Sequence, residues 1–103
     1  MLDETIINKA YQLLEVTRQM LFDVHNKLIE AQRLLTKKKT ELIMSGVIDG
    51  KNEEMRKSQI ISMSEVETSD VLILEKELDV AQLNNEFANY EVNRINTLIK
   101  WLK

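Results

Sequence analysis

Ile7, Leu14, Leu21, Leu28, Leu35 and Leu42 recur at every seventh position without a miss. Because a helix turns once in ~3.6 residues, every seventh side chain returns to nearly the same face. The ladder therefore demands one long helix whose apolar seam is buried against other helices. With Ile7 as heptad position a, positions d are Ala10, Thr17, Val24, Ala31 and Lys38. Positions g are Ile6, Leu13, Met20, Lys27, Leu34 and Glu41, mostly apolar as well. A two-stranded coiled coil needs only a and d, so the wider stripe suits a bundle of more than two helices. Small residues at d (Ala10, Thr17, Ala31) let a neighbouring helix approach closely. The first helix is expected over residues 3–44, with Asp3 as N-cap and a length of ~60 Å.

Proline is absent and glycine occurs only at Gly46 and Gly50, so nothing punctuates the chain outside a turn at 45–52. Gly46 suits the left-handed position that ends a helix, and Asp49-Gly50 is a turn signal. Val47 and Ile48 are placed to cap the end of the seam. Asn52, followed by Glu53 and Glu54, reads as the N-cap of a short helix over 53–61. Ser58, Ser62, Ser64, Thr68 and Ser69 weaken helix across the next stretch by competing for backbone hydrogen bonds. Ser64-Glu65-Val66-Glu67 has capping-box spacing: Ser64 would accept from the amide of Glu67 while Glu67 reaches back. A break is expected near 62–64, with a continuous helix from Asn52 as the alternative.

The heptad resumes in a helix over 65–102. Its a positions are Val71, Leu78, Asn85, Val92 and Ile99, and its d positions are Leu74, Ala81, Ala88, Ile95 and Leu102. A second row, Ile73, Val80, Phe87 and Trp101, runs two positions from a and is broken at Arg94; Leu83 and Tyr90 extend it. One partner helix does not cover so wide an arc. Leaving the row exposed forfeits ~1.5–3 kcal/mol per large side chain. These six residues are the expected oligomer interface. The fold class is all-α: a single domain over 1–103, a long antiparallel helical hairpin, coiled-coil-like, assembling into a four-helix or larger bundle. Asn85, polar at an a position, is either a device that fixes register at some cost in stability or a wet residue at the bundle edge.

Charge is distributed unevenly although the net is only −3. Arg33 to Lys39 carries four positive charges and no negative one; Glu65 to Glu91 carries eight carboxylates against Lys76. Lys37, Lys38 and Lys39 close the first helix, and Lys51, Arg56 and Lys57 follow the turn. Gathered at one end of a hairpin, they satisfy the negative end of the helix dipole or grip phosphates. Glu41, Asp49, Glu53 and Glu54 dilute that basic tip, and no aromatic is interleaved for base stacking. Glu75, Asp79 and Glu86 share one side of the second long helix. Di-metal bundles use such spacing but add Glu-x-x-His pairs, which this chain lacks. A solvated acidic face, or a face for a protein partner, is the better reading.

His25, the one histidine, has no companion ligand at helical spacing and reads as a surface residue. Phosphate-binding glycine loops, nucleophile elbows and His–Glu metalloprotease patterns are missing. No enzyme, cofactor or metal is expected. With no cysteine there is no disulfide or thiolate chemistry. The start, Met-Leu-Asp-Glu, lacks the basic and apolar regions of a signal peptide, and no run approaches the ~20 apolar residues of a membrane span. A cytoplasmic protein without membrane contact is the expectation.

The segment from Met44 to Gln59 resembles small helical proteins encoded by bacteriophages and prophages, in which a Gly-Lys-Asn-x-Glu-x-Arg turn joins a long first helix to a charged second one. The matching residues are Gly50, Lys51, Asn52, Glu54 and Arg56. The resemblance implies an accessory protein of a phage in a bacterial host, acting by binding host or phage proteins of replication, recombination or defence. The expected function is thus a non-enzymatic interaction module that inhibits or modulates such a protein. The alternative is a nucleic-acid-binding accessory protein using the basic tip. A weaker likeness is to the helical hairpins of type VII secretion, which carry Trp-x-Gly in the turn and a C-terminal Tyr-x-x-x-Asp/Glu. Here Gly46 has no such Trp, and Tyr90 is followed four positions later by Arg94; Tyr11 and Glu15 have the spacing but lie in the first helix.

Overall fold

A computed structural model describes residues 3–102; Met1, Leu2 and Lys103, the ends of the expected domain, lie outside the described residues. The chain is an all-α helical hairpin. α1 spans Glu4–Met44, α2 Glu53–Met63 and α3 Glu65–Leu102. The contacts divide it into two compact units: Met1–His25 with Glu77–Lys103, and Asn26–Lys76.

In the first unit the heptad becomes packing. Ala10, Leu14, Ala88, Val92 and Ile95 form one buried cluster, with Ile7 and Ile99 against it. Every one of these is an a or d residue. Within this cluster the small side chains of Ala10 and Ala88 leave room for Leu14 and Ile95. Two cross-helix hydrogen bonds fix the antiparallel register. Asn85 donates its side-chain amide to Thr17 Oγ1 at 3.2 Å, and Tyr11 donates its hydroxyl to Asn96 Oδ1 at 3.3 Å. Thr17 is buried, and its hydroxyl donates in turn to the Leu14 carbonyl at 3.1 Å. Asn85 is thereby only half-buried but partnered within the hairpin. At the helix start, Asp3 caps α1 as expected, its carboxylate accepting from the Ile6 amide at 2.9 Å.

In the second unit Leu28, Ala31, Val71 and Ser64 are buried. α1 ends at a turn over Ser45-Gly46, where Gly46 has φ +78 and needs the freedom of glycine. Ser45 donates its amide to the Glu41 carbonyl and its hydroxyl to the Leu42 carbonyl, satisfying two of the last helix oxygens. Asp49-Gly50 does not form the expected turn; its backbone is irregular, and Gly50 does not have positive φ. Gly50 is required by space instead. A Cβ there would lie 2.8 Å from the Arg56 amide nitrogen and 2.9 Å from Met55. Of the two residues expected to cap the seam, Ile48 is half-buried and Val47 is exposed.

Asn52 caps α2, accepting from the Met55 amide at 2.8 Å. The helix runs two residues past the expected end, to Met63, and the continuous-helix alternative fails at Ser64, whose φ of −115 and ψ of 25 break it. The capping box does not form there. Ser64 is fully buried, and its hydroxyl donates back to the Ile60 carbonyl at 2.6 Å rather than accepting from Glu67. A buried hydroxyl needs a partner, and Ser64 finds it in the Ile60 carbonyl, which also accepts the Ser64 amide at 3.0 Å.

Candidate interaction surface

The heptad sorts the exposed residues as sharply as the buried ones. On α1 the a and d positions, from Ile7 to Leu42, are buried or half-buried throughout. The g positions Ile6, Leu13, Met20 and Leu34 are exposed. A single antiparallel neighbour covers two heptad rows, and the third is left over.

α3 leaves more. Val80, Leu83, Phe87 and Tyr90 are each more than half exposed, Phe87 at 61% and Tyr90 at 64%. One residue away from Phe87, Ala88 is 0% exposed. Spacings of three and four residues align the four exposed side chains on the side of α3 turned away from its buried seam. Trp101, at 83%, extends the row toward the helix end. Ile73, also exposed, belongs to the second unit, where it shares a shallow hollow with Lys27, Ala31, Leu34, Asp70 and Leu74.

The acidic residues singled out from the sequence, Glu75, Asp79 and Glu86, are all exposed on α3. Glu91 is half-buried and holds Arg94 at 3.1 Å, which occupies the cation that interrupts the apolar row.

The basic tip is less free than its composition suggests. Arg56 donates to the Gly50 carbonyl at 3.2 Å, and Lys57 lies 3.4 Å from Glu53. Lys38 is half-buried at its d position, while Lys37, Lys39 and Lys51 are exposed. Upstream, Arg33 grips Glu30 through two hydrogen bonds of 2.6 and 3.0 Å. Those hydrogen bonds hold the Glu30 carboxyl below its ordinary pKa and push Arg33 above its own.

Three of the five residues of the turn motif that carries the phage resemblance have a folding role. Gly50 admits the start of α2, Asn52 caps it and Arg56 ties the Gly50 carbonyl to it. Gln59, which the motif omits, completes the closure: it accepts from the Gly50 amide at 2.8 Å and donates to Asp49 at 2.6 Å. Its signal in the sequence is indirect, since a partly buried amide at Gly50 must find an acceptor. Sequence reasoning also passed over the α1 row Phe22, Ile29 and Ile43, all exposed; their spacing of seven and fourteen was the clue. His25 is exposed, beside Phe22 and Leu78 in a hollow of the first unit.

Among the described residues no group of three or more His, Asp or Glu is placed to hold a metal ion, and no helix is long and apolar enough to cross a membrane. Comparison with known protein families, with characterised proteins and with solved structures finds no match.

Proposed function

We propose that this chain is a non-catalytic protein-interaction module that recognises a partner through the outer row of α3. The observation that carries the reading is the exposure of Val80, Leu83, Phe87 and Tyr90 on the side away from the hairpin seam. Apolar side chains scattered singly over a surface need no explanation, whereas an aligned group with two aromatics marks an interaction site. A second copy of the chain is the rival occupant of the same row. The resemblance at the turn supports a setting in the cytoplasm of a phage-bearing bacterium. The target would then be a host or phage protein of DNA metabolism or antiviral defence, inhibited or modulated by steric cover.

Capture from the lysate of a phage-bearing bacterium tests the reading, with proteins identified by mass spectrometry. The wild-type chain retains a specific protein, and the double variant Phe87→Ser, Tyr90→Ser loses it. Phe22→Ser, an equally exposed apolar residue on α1, retains it. Equal loss with Phe22→Ser would mark general stickiness and defeat the proposal.

A second reading, a phosphate grip by the basic tip, is favoured by the exposure of Lys37, Lys39 and Lys51 and opposed by the local engagement of Arg56 and Lys57. Titration with duplex DNA at low and physiological salt decides it. Binding that falls steeply with salt and disappears in the Lys37→Ala, Lys39→Ala, Lys51→Ala variant supports the grip. No binding at low salt removes it.

A further inference from the structure

Helical rotation of about 100° per residue fixes what borders the outer row of α3. Val80, Leu83, Phe87 and Tyr90 form its ridge. Asp79 and Glu86, seven residues apart, run along one border, and Glu77 stands on the other. All three carboxylates are exposed, and the ion pair of this stretch, Glu91 with Arg94, does not involve them. The only cation between Glu75 and Glu91 is Lys76, in line with the ridge at its start rather than on a border.

We infer that this ridge seats an amphipathic helix of another protein whose apolar face is bordered by Lys or Arg. The inference rests on the proposed function and names the chemistry of the partner. A helix that presents apolar side chains at spacings of three, four and seven packs against the apolar face of another helix. The carboxylate borders supply complementary charge at the rim, where it steers association and rejects wrong partners.

The same borders oppose the other occupants. In a two-fold contact a patch meets itself, so Asp79 and Glu86 would face the carboxylates of a second copy. A copy can offer its cationic stretch, Arg33 to Lys39, only head to tail, which builds an open chain or ring rather than a closed pair. Phosphate surfaces, whether nucleic acid or anionic lipid, are repelled.

Two synthetic helical peptides of about 20 residues with one leucine ridge, bordered by lysine in one and glutamate in the other, test the inference on the full chain by fluorescence anisotropy. The lysine-bordered peptide binds at least about tenfold tighter, and its binding weakens as salt rises. Phe87→Ser abolishes that binding. The variant Asp79→Lys, Glu86→Lys, which keeps the ridge intact, reverses the preference toward the glutamate-bordered peptide. Equal binding of both peptides, binding of neither, or an unchanged preference in the reversed variant overturns the inference. So does sedimentation as a dimer that Phe87→Ser dissociates, since a second copy then holds the ridge. A lysate partner that Phe87→Ser loses but the lysine-bordered peptide fails to displace removes the basic chemistry alone and leaves the interaction module standing.

Discussion

The two sides of α3 are built from different residues for different neighbours. The inner side pairs the small Ala81 and Ala88 with Val71, Val92 and Ile95, all buried. Small residues let the helices close up, and the branched ones fill what remains. The outer side carries Val80, Leu83, Phe87 and Tyr90 and buries none of them. Large side chains left in water are a standing cost of ~1.5–3 kcal/mol each relative to burial. The contrast teaches that one helix holds two seams, one completed within the chain and one open. Measurements of stability and of binding should therefore separate cleanly between them.

The largest expected effect is on the inner side. Ile95 is 2% exposed and sits in the cluster with Leu14 and Val92. Ile95→Ala deletes its packing and leaves a cavity, costing ~2–5 kcal/mol in urea unfolding. A loss below ~1 kcal/mol would mean that the inner seam packs loosely, and the comparison between the two sides would collapse.

Ala88→Leu tests the same seam from the opposite direction. Ala88 is fully buried, so a larger side chain has to push the helices apart. Destabilisation of ~1–3 kcal/mol is expected from overpacking, read as a lower unfolding midpoint in urea. A stabilised Ala88→Leu protein would reveal room between α1 and α3 and would recast the small residues as incidental.

How far this was legible in the sequence varies with the physics. The ladder from Ile7 to Leu42 and the α3 heptad are periodic, and period alone assigns a helix face. The ends of the helices were legible wherever a side chain caps its own backbone, as Asp3 and Asn52 do. Ser64 was not, because its hydroxyl had two helix ends to choose between and burial decided. Asn85 was left open for a similar reason: its partner, Thr17, depends on the register between two helices distant in sequence. At the candidate site the exposed row Val80, Leu83, Phe87 and Tyr90 was readable as surplus. The charge pattern around it acquires meaning only once the seam shows which side faces out.

The Thr17–Asn85 contact sharpens the comparison by placing a polar pair inside the closed seam. Asn85→Ala removes the 3.2 Å hydrogen bond to Thr17 and the longer one, 3.4 Å, that Asn85 accepts from Asn89, and should cost about 1 kcal/mol. Thr17→Val removes the same contact from the other side, so Thr17→Val combined with Asn85→Ala should cost less than the sum of the two single changes. A double-mutant cycle measures the coupling. Zero coupling would show that the pair contributes nothing to register.

The smallest effect on stability is the most telling. Phe87→Ser removes the largest wholly apolar side chain of the open ridge, yet Phe87 is already 61% exposed. An exposed position away from caps and turns shifts stability by no more than about 0.5 kcal/mol, and here the change even relieves apolar surface of contact with water. Urea unfolding at low micromolar concentration should therefore leave the midpoint unmoved, one residue away from an alanine where added bulk is costly. The concentration dependence of that result carries further information. A midpoint that rises with protein concentration in the wild type and not in Phe87→Ser belongs to a protein that buries the ridge against itself. A midpoint indifferent to both means that the ridge is not buried against a second copy at these concentrations, and that the inner side of α3 supplies its share of stability without help from the outer one.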